Sequence, residues 1–194
     1  SLRDWSSDVC SSDLAKFINE ILIRREEIAA MCQRLGEKIS ADYADREVIL
    51  IGVLKGAYVF MADLARHLTI PCRIDFMSVS SYGSGTRSSG VVRITKDLDM
   101  DITGKHIIIV EDIVDTGLTL NHLRQLLGTR KPASIAVCTA FDKPERRKVN
   151  VTVEYVGMQI PDEFIVGYGL DFDGKYRNLP DISILGDDSQ GGAQ

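Results

Sequence analysis

Residues 107–120 read IIIVEDIVDTGLTL. Four β-branched apolar residues, Ile107 to Val110, run directly into Glu111 and Asp112; Asp115 follows, then Thr116, Gly117, Leu118 and Thr119. A continuous apolar run of this kind reads as a strand covered on both faces, as in a parallel sheet. Its polar end is then the carboxyl end, where open α/β sheets bind ligands. The step from DTG into LTL starts a helix, and the first backbone N–H groups of a helix have no internal acceptors, which favours an anion. Gly117 lets the backbone approach that anion, Leu118 contributes backbone only, and the hydroxyls of Thr116 and Thr119 add donors. Alone, such a Thr–Gly pair is an ordinary helix cap. The acids upstream change the reading, because carboxylates repel phosphate yet accept hydrogen bonds from vicinal hydroxyls and attract Mg2+. A phosphorylated pentose meets both demands, with phosphate at the helix start and ribose hydroxyls at Glu111 and Asp112.

Outward from this stretch the chain alternates strand and helix patterns. Ile28, Met31, Leu35 and Ile39 form one stripe of an amphipathic helix. VILIGVL at 48–54 is a strand, AYVFMADLARHL a helix, CRIDFMSVS a strand after Pro71, and VVRIT another. LTLNHLRQLL is a helix stopped by Gly128 and Pro132, followed by the strand SIAVCTAF. VTVEYVGM, FIVGYGLDF and ISIL read as further short strands, and FINEILI as a short apolar stretch. Alternation of this kind predicts one α/β domain with a mostly parallel, right-handed sheet. The Gly/Ser-rich segment 80–90, SSYGSGTRSSG, reads as a long mobile loop.

The 194 residues, 44% hydrophobic and 26% charged, suit a single globular core. No apolar run approaches the ~20 residues of a membrane helix, so no membrane association is expected. Residues 1–14 carry three aspartates and no apolar core; they read as a disordered or non-native leader rather than a secretory signal. A cytoplasmic location is expected. The four cysteines, Cys10, Cys32, Cys72 and Cys138, form no CxxC pair, so reduced and mostly buried thiols are expected. The three histidines lack metal-ligand spacing. A net charge of −5 opposes a role in gripping nucleic acid, and RRK at 146–148 reads as a solvated surface patch. DLDMDI at 97–102 spaces its acids like a calcium loop, but Ile102 and Ile108 stand where glycine and glutamate are required. No GxxxxGK[ST] loop is present, and YGSGTRSSG does not open a helix after a strand.

VEDIVDTGLTL closely resembles the phosphoribosyl pyrophosphate motif of type I phosphoribosyltransferases. The blocks VLKGAYVFMADL, DFMSVSSYGSG, KDLDMDITGK, DKPERR and VGMQIPDEFIVGYGLDFDGKYRNLP are similar to those of the bacterial hypoxanthine-guanine branch, over roughly residues 17–186. The resemblance implies the type I fold: a mostly parallel central sheet flanked by helices, with a small hood subdomain. The domain then spans 15–186, with 187–194 as a disordered tail. It also implies transfer of the 5-phosphoribosyl group from phosphoribosyl pyrophosphate to N9 of hypoxanthine or guanine, with Mg2+ as cofactor, pyrophosphate released, and a homodimer or homotetramer.

Residue roles follow from the same resemblance. Glu111, Asp112, Asp115, Thr116, Gly117, Leu118 and Thr119 bind the phosphoribosyl group, and Asp115 is the general base at N7. Lys55 and Gly56, after a cis peptide between Leu54 and Lys55, bind pyrophosphate together with Arg177. Ser81 and Tyr82 belong to a loop that closes over the site. Lys143 donates to the purine 6-oxo group, Phe164 stacks on the base and the Ile165 backbone reads its edge. Asp171 lies at the base side and joins Glu111 and Asp112 as a metal ligand, while Tyr168 is left to packing. Three rivals share these residues: a xanthine-preferring enzyme, a nucleotide-sensing RNA-binding regulator on the same fold, and a module that holds phosphoribosyl pyrophosphate without turnover.

Overall fold

A computed structural model describes residues 18–81 and 92–186. The stretch that decided the reading, β5 (His106–Val114), runs through the middle of a six-stranded sheet. The sheet order is β4-β3-β2-β5-β6-β7, made of β2 (Val48–Leu54), β3 (Cys72–Ser81), β4 (Val92–Lys96), β5, β6 (Ser134–Asp142) and β7 (Tyr155–Gln159). All pairings are parallel except β3 with β4.

The unbroken apolar run of β5 has the cause inferred for it. Ile108 and Val110 pack in one layer with Ile28, Met31, Leu35 and Ile39 of α1 (Arg25–Asp42) and Phe60, Met61 and Leu64 of α2 (Tyr58–Arg66). Ile107 and Ile109 pack in a second layer with Leu120, Leu123 and Leu127 of α3 (Leu118–Gly128). Burying both faces of a strand leaves no position for a polar residue until the ligand-facing end. Helix α1 begins where Glu27 accepts a hydrogen bond from the Arg24 N–H at 2.9 Å, one half of a capping box.

A second, three-stranded antiparallel sheet is built from both ends of the described chain. It comprises β1 (Ile18–Ile23), β9 (Ile182–Leu185) and β8 (Ile165–Val166), in that order. This is the small subdomain anticipated above.

Three local expectations change. The INEILI part of FINEILI is a strand, β1, which only its pairing with the distant β9 reveals. The 151–154 part of VTVEYVGM does not pair: Val151 and Val153 pack on the α3 layer, and Glu154 is drawn away to Arg124 at 2.8 Å and the Val137 N–H at 2.8 Å. FIVGYGLDF is strand only at Ile165–Val166, because Gly167 (φ +100°), Tyr168 (φ +49°) and Gly169 (φ +96°) turn the chain at once. The acids of 97–101 are held locally: Asp97 grips Arg130 with both oxygens at 2.8 Å, and Asp101 accepts from Thr103. The expectations for residues 1–14 and 187–194, for Tyr82 and for the rest of the loop from 82 to 90 lie outside the described residues.

Candidate active site

Strand β5 continues through Glu111 and Asp112 to Val114, so the two acids are fixed by the sheet, while Asp115, Thr116 and Gly117 make the turn into α3. Gly117 caps that helix at φ +79°, a left-handed conformation that glycine adopts freely. A Cβ there would press on Val151 at 2.8 Å. No side chain caps α3 in the usual way; the Leu118 N–H has only a long 3.4 Å contact to Thr116 Oγ1. The first N–H groups of α3 thus keep their capacity for an external anion. A cavity of about 110 Å³ opens there, lined by Glu111, Asp115, Thr116, Gly117 and Thr119 among others. A larger cavity of about 380 Å³, between α1, α2 and residues 177–180, meets the predicted site only through Arg177.

The acids divide their work. Glu111 lines the cup, whereas Asp112 faces the turn after β2, where a Cβ on Gly56 would fall on its carboxylate. Burial, with the neighbouring Asp112 charge, pushes the Glu111 carboxyl well above its usual range. Burial likewise raises Asp112 to about 6, helped by Asp171 and opposed by backbone hydrogen bonds and Arg177. Among the described residues no hydrogen-bond donor or ion-pair partner reaches the Glu111 carboxylate. Two carboxyl groups are thus concentrated where no protein cation fully answers their ionised forms. Because the folded Asp112 carboxyl lies above its unfolded value, its ionisation works against folding, increasingly as pH rises from about 4 through about 6. Asp112→Asn is therefore expected to stabilise the fold by roughly 3 kcal/mol at pH 8 and by roughly 1 kcal/mol at pH 4.5. Thermal melts at the two pH values check this, and equal shifts at both would dismiss the ionic cause.

The residues expected to meet pyrophosphate lie near one another. The Leu54–Lys55 peptide is cis, and Lys55 is exposed with no ion pair among the described residues. Arg177 pairs with Asp171 at 3.0 Å and donates to the Gly169 carbonyl at 2.6 Å. Gly169 in turn sits so close to the Gly56 carbonyl that a Cβ there would collide with it. Gly56, Asp112, Asp171 and Arg177 therefore form one cluster, drawn from the turn after β2, from β5 and from the C-terminal turn, with Lys55 next to Gly56 in the chain.

The residues expected to meet the base lie at the ends of β6 and β8. Lys143, buried at the end of β6, donates Nζ–H to the Glu163 carbonyl at 2.6 Å. Phe164 is 48% exposed, not a core aromatic, and its ring meets Phe172 edge-on at 5.7 Å. Ile165 buries its side chain in β8. Tyr168 packs as expected, its hydroxyl donating to Asp63 at 2.7 Å. Ser81 ends β3, but its side chain and Tyr82 are outside the described residues.

RRK at 146–148 lies at the surface as expected, with Arg146 and Lys148 exposed and Arg147 half-buried, but its arginines are also tied to acids. Arg146 pairs with Asp115 at 2.6 Å and with Asp162 at 3.2 Å. Arg147 bonds Asp142 at 2.5 Å and donates to the Val114 and Asp115 carbonyls, and the Lys148 N–H bonds the Thr116 carbonyl at 2.9 Å. The segment 146–148 is folded back along the turn of Asp115 and Thr116. Its composition resembles a surface run; its place directly after the buried Lys143 was the available signal. Phe172 and Asp162 were also missed: both lie in the quoted block VGMQIPDEFIVGYGLDFDGKYRNLP, but no role was read for either.

A family model for the phosphoribosyl transferase domain matches residues 19–173. Over 163 residues the chain is 52% identical to the hypoxanthine phosphoribosyltransferase of Salmonella typhimurium, covering 83% of this chain and 92% of that protein. Over 172 residues it is 49% identical to the hypoxanthine-guanine phosphoribosyltransferase of Streptococcus thermophilus, covering 89% and 96%. The solved hypoxanthine phosphoribosyltransferase of Staphylococcus aureus matches with a TM-score of 0.89 at 42% identity, covering 95% of this chain and 99% of that one.

Proposed function

The chain belongs to the phosphoribosyltransferase family, and from that premise we propose that it is a purine salvage enzyme. It transfers the 5-phosphoribosyl group of phosphoribosyl pyrophosphate to N9 of hypoxanthine or guanine, giving IMP or GMP and pyrophosphate. The observation that supports this best is the cup at the start of α3, with the Glu111 carboxylate on its wall and Lys143 on the neighbouring strand end. The relatives' names favour hypoxanthine and guanine over xanthine, and nothing in the comparisons favours the RNA-binding or turnover-free readings.

The backbone of Asp115–Thr119 holds the 5-phosphate, and Glu111 and Asp112 orient the ribose hydroxyls so that C1 is aimed. Lys55, the turn at Gly56 and Arg177 take the pyrophosphate, whose departure leaves an oxocarbenium-like sugar. Lys143 donates to the 6-oxo group, Phe164 covers the base, the Ile165 backbone reads its edge, and Asp115 accepts the proton at N7 as N9 attacks. Ser81 and Tyr82 are assigned to water exclusion. Most of the acceleration is positioning and charge stabilisation.

Glu111, Asp112 and Asp171 are the residues that would hold Mg2+. The described residues contain no group of three such side chains placed to hold an ion, so at most two of these acids would face one Mg2+, with waters and substrate phosphates completing its shell. When bound, the ion offsets charge on the pyrophosphate. Among the described residues no helix is long and apolar enough to cross a membrane; a cytoplasmic location and a homodimer or homotetramer complete the proposal.

A spectrophotometric assay of nucleotide formation with hypoxanthine, guanine and xanthine, with and without Mg2+, tests the reading. No consumption of the donor with any base would end it. Lys143→Ala is expected to raise KM for hypoxanthine by roughly 10–100-fold, the loss of one charged hydrogen bond. KM for phosphoribosyl pyrophosphate should stay within about 3-fold, and equal losses for both substrates would contradict the assignment.

A further inference from the structure

Arg146 ties together three successive strand ends on the base side of the site. Asp115 follows β5, Arg146 ends a single 3-10 turn (Pro144–Arg146) after β6, and Asp162 follows β7. The Arg146 Nε–H donates to Asp115 Oδ1 at 2.6 Å, and Nη1 donates to Asp162 Oδ1 at 3.2 Å and Oδ2 at 3.4 Å. The outer anchor is itself fastened, since Lys143 Nζ lies 3.9 Å from Asp162 and donates to the adjacent Glu163 carbonyl. Beneath, Arg147 holds the Asp115 carbonyl at 2.8 Å. Among the described residues only Oδ1 of the Asp115 carboxylate receives a donor; Oδ2 is left open.

This bridge is a poor stability device. The side chains of Arg146, Asp115 and Asp162 are 45%, 41% and 47% exposed, and pairs so exposed contribute little to folding. Its geometry suits a different task. A guanidinium is a rigid fork whose donors can span two carboxylates at a set angle, which the point charge of a lysine cannot do. A general base, for its part, must present a defined lone pair to the proton it takes.

We propose that Arg146 is a positioning residue: anchored by Asp162, it grips Asp115 through Oδ1 and so presents Oδ2 to the imidazole-ring proton of the incoming purine. The proton passes from N7 to Oδ2 as the N9–C1 bond forms and the C1–pyrophosphate bond breaks. The inference rests on the reading of Asp115 as proton acceptor, and it adds a residue that the site motifs leave unassigned.

Steady-state kinetics of Arg146→Ala and Arg146→Lys, beside Asp115→Asn, test it. Arg146→Ala is expected to lower kcat/KM for hypoxanthine by roughly 30-fold, within the range of misaligned general-base catalysis. KM for phosphoribosyl pyrophosphate should move less than about 2-fold, and Tm by less than about 2 °C. Arg146→Lys, which can reach one carboxylate at a time, should recover part of the loss. With 8-azaguanine, whose ring proton is more acidic, the penalty of Arg146→Ala relative to wild type should shrink to a few-fold. A penalty identical for guanine and 8-azaguanine, or no penalty where Asp115→Asn is impaired, overturns the role of Arg146 alone. Full turnover by Asp115→Asn removes the proton-acceptor reading and this inference with it.

Discussion

Asp115→Asn is expected to lower kcat with hypoxanthine by roughly 10²–10³-fold, the ordinary scale of a lost general base, while phosphoribosyl pyrophosphate binding changes by no more than a few-fold. The separation follows from where the residue stands. Its backbone begins the phosphate turn, and that backbone is held by the Arg147 guanidinium through the Val114 and Asp115 carbonyls, contacts that an asparagine leaves in place. Its side chain points instead to Arg146 and the base side. Asparagine keeps an Oδ1 to accept from Arg146 but offers no anionic oxygen to a proton. Rapid-quench measurement of a single turnover, alongside equilibrium binding of the sugar donor, separates the two effects. Unchanged turnover would withdraw the general-base assignment, whereas parallel loss of binding would make Asp115 a phosphate-turn residue only.

Gly56→Ala is expected to lower kcat/KM for phosphoribosyl pyrophosphate by roughly 10²-fold with only a modest drop in Tm. The added methyl would occupy the space of the Asp112 carboxylate. That carboxylate is a short side chain tied by the Ile113 N–H at 2.7 Å, so it must rotate away from its place beside Arg177 and Asp171. A displacement of about 1 Å in a positioned group costs on the order of 10²-fold in rate. Gly169 transmits the same crowding, since it is packed on the Gly56 carbonyl and carries φ +96°. Measuring donor affinity and kcat in the variant, together with its melting curve, checks the prediction. A large loss of stability with intact kinetics would show Gly56 to be a packing residue.

The site was legible in sequence where chemistry and chain order coincide. Glu111 to Thr119 lie within nine residues, and a buried strand, a polar end and a helix start each leave their own residue pattern there. The same holds for Lys55–Gly56 and Lys143, each directly after an apolar strand. The exposure of Arg146 was legible but the partners of Arg146 and Arg147 were not, because charge run and composition say nothing of direction; which carboxylate a cation reaches depends on which strand ends the sheet brings alongside it. Phe172 and Asp162 escaped for the same reason.

The central sheet and its carboxyl-end site are thus local consequences of the chain: both faces of β5 must be covered, so its apolar run had to be long and its polar residues had to collect at one end. Contacts between segments far apart in the chain were decided only by tertiary structure. The β1–β9 pairing joins the two ends of the described chain, Gly169 closes on Gly56, and Arg146 reaches back 31 residues to Asp115. Residue type and spacing encode how a segment buries itself, but a partner across the fold is selected by the geometry of the assembled layers.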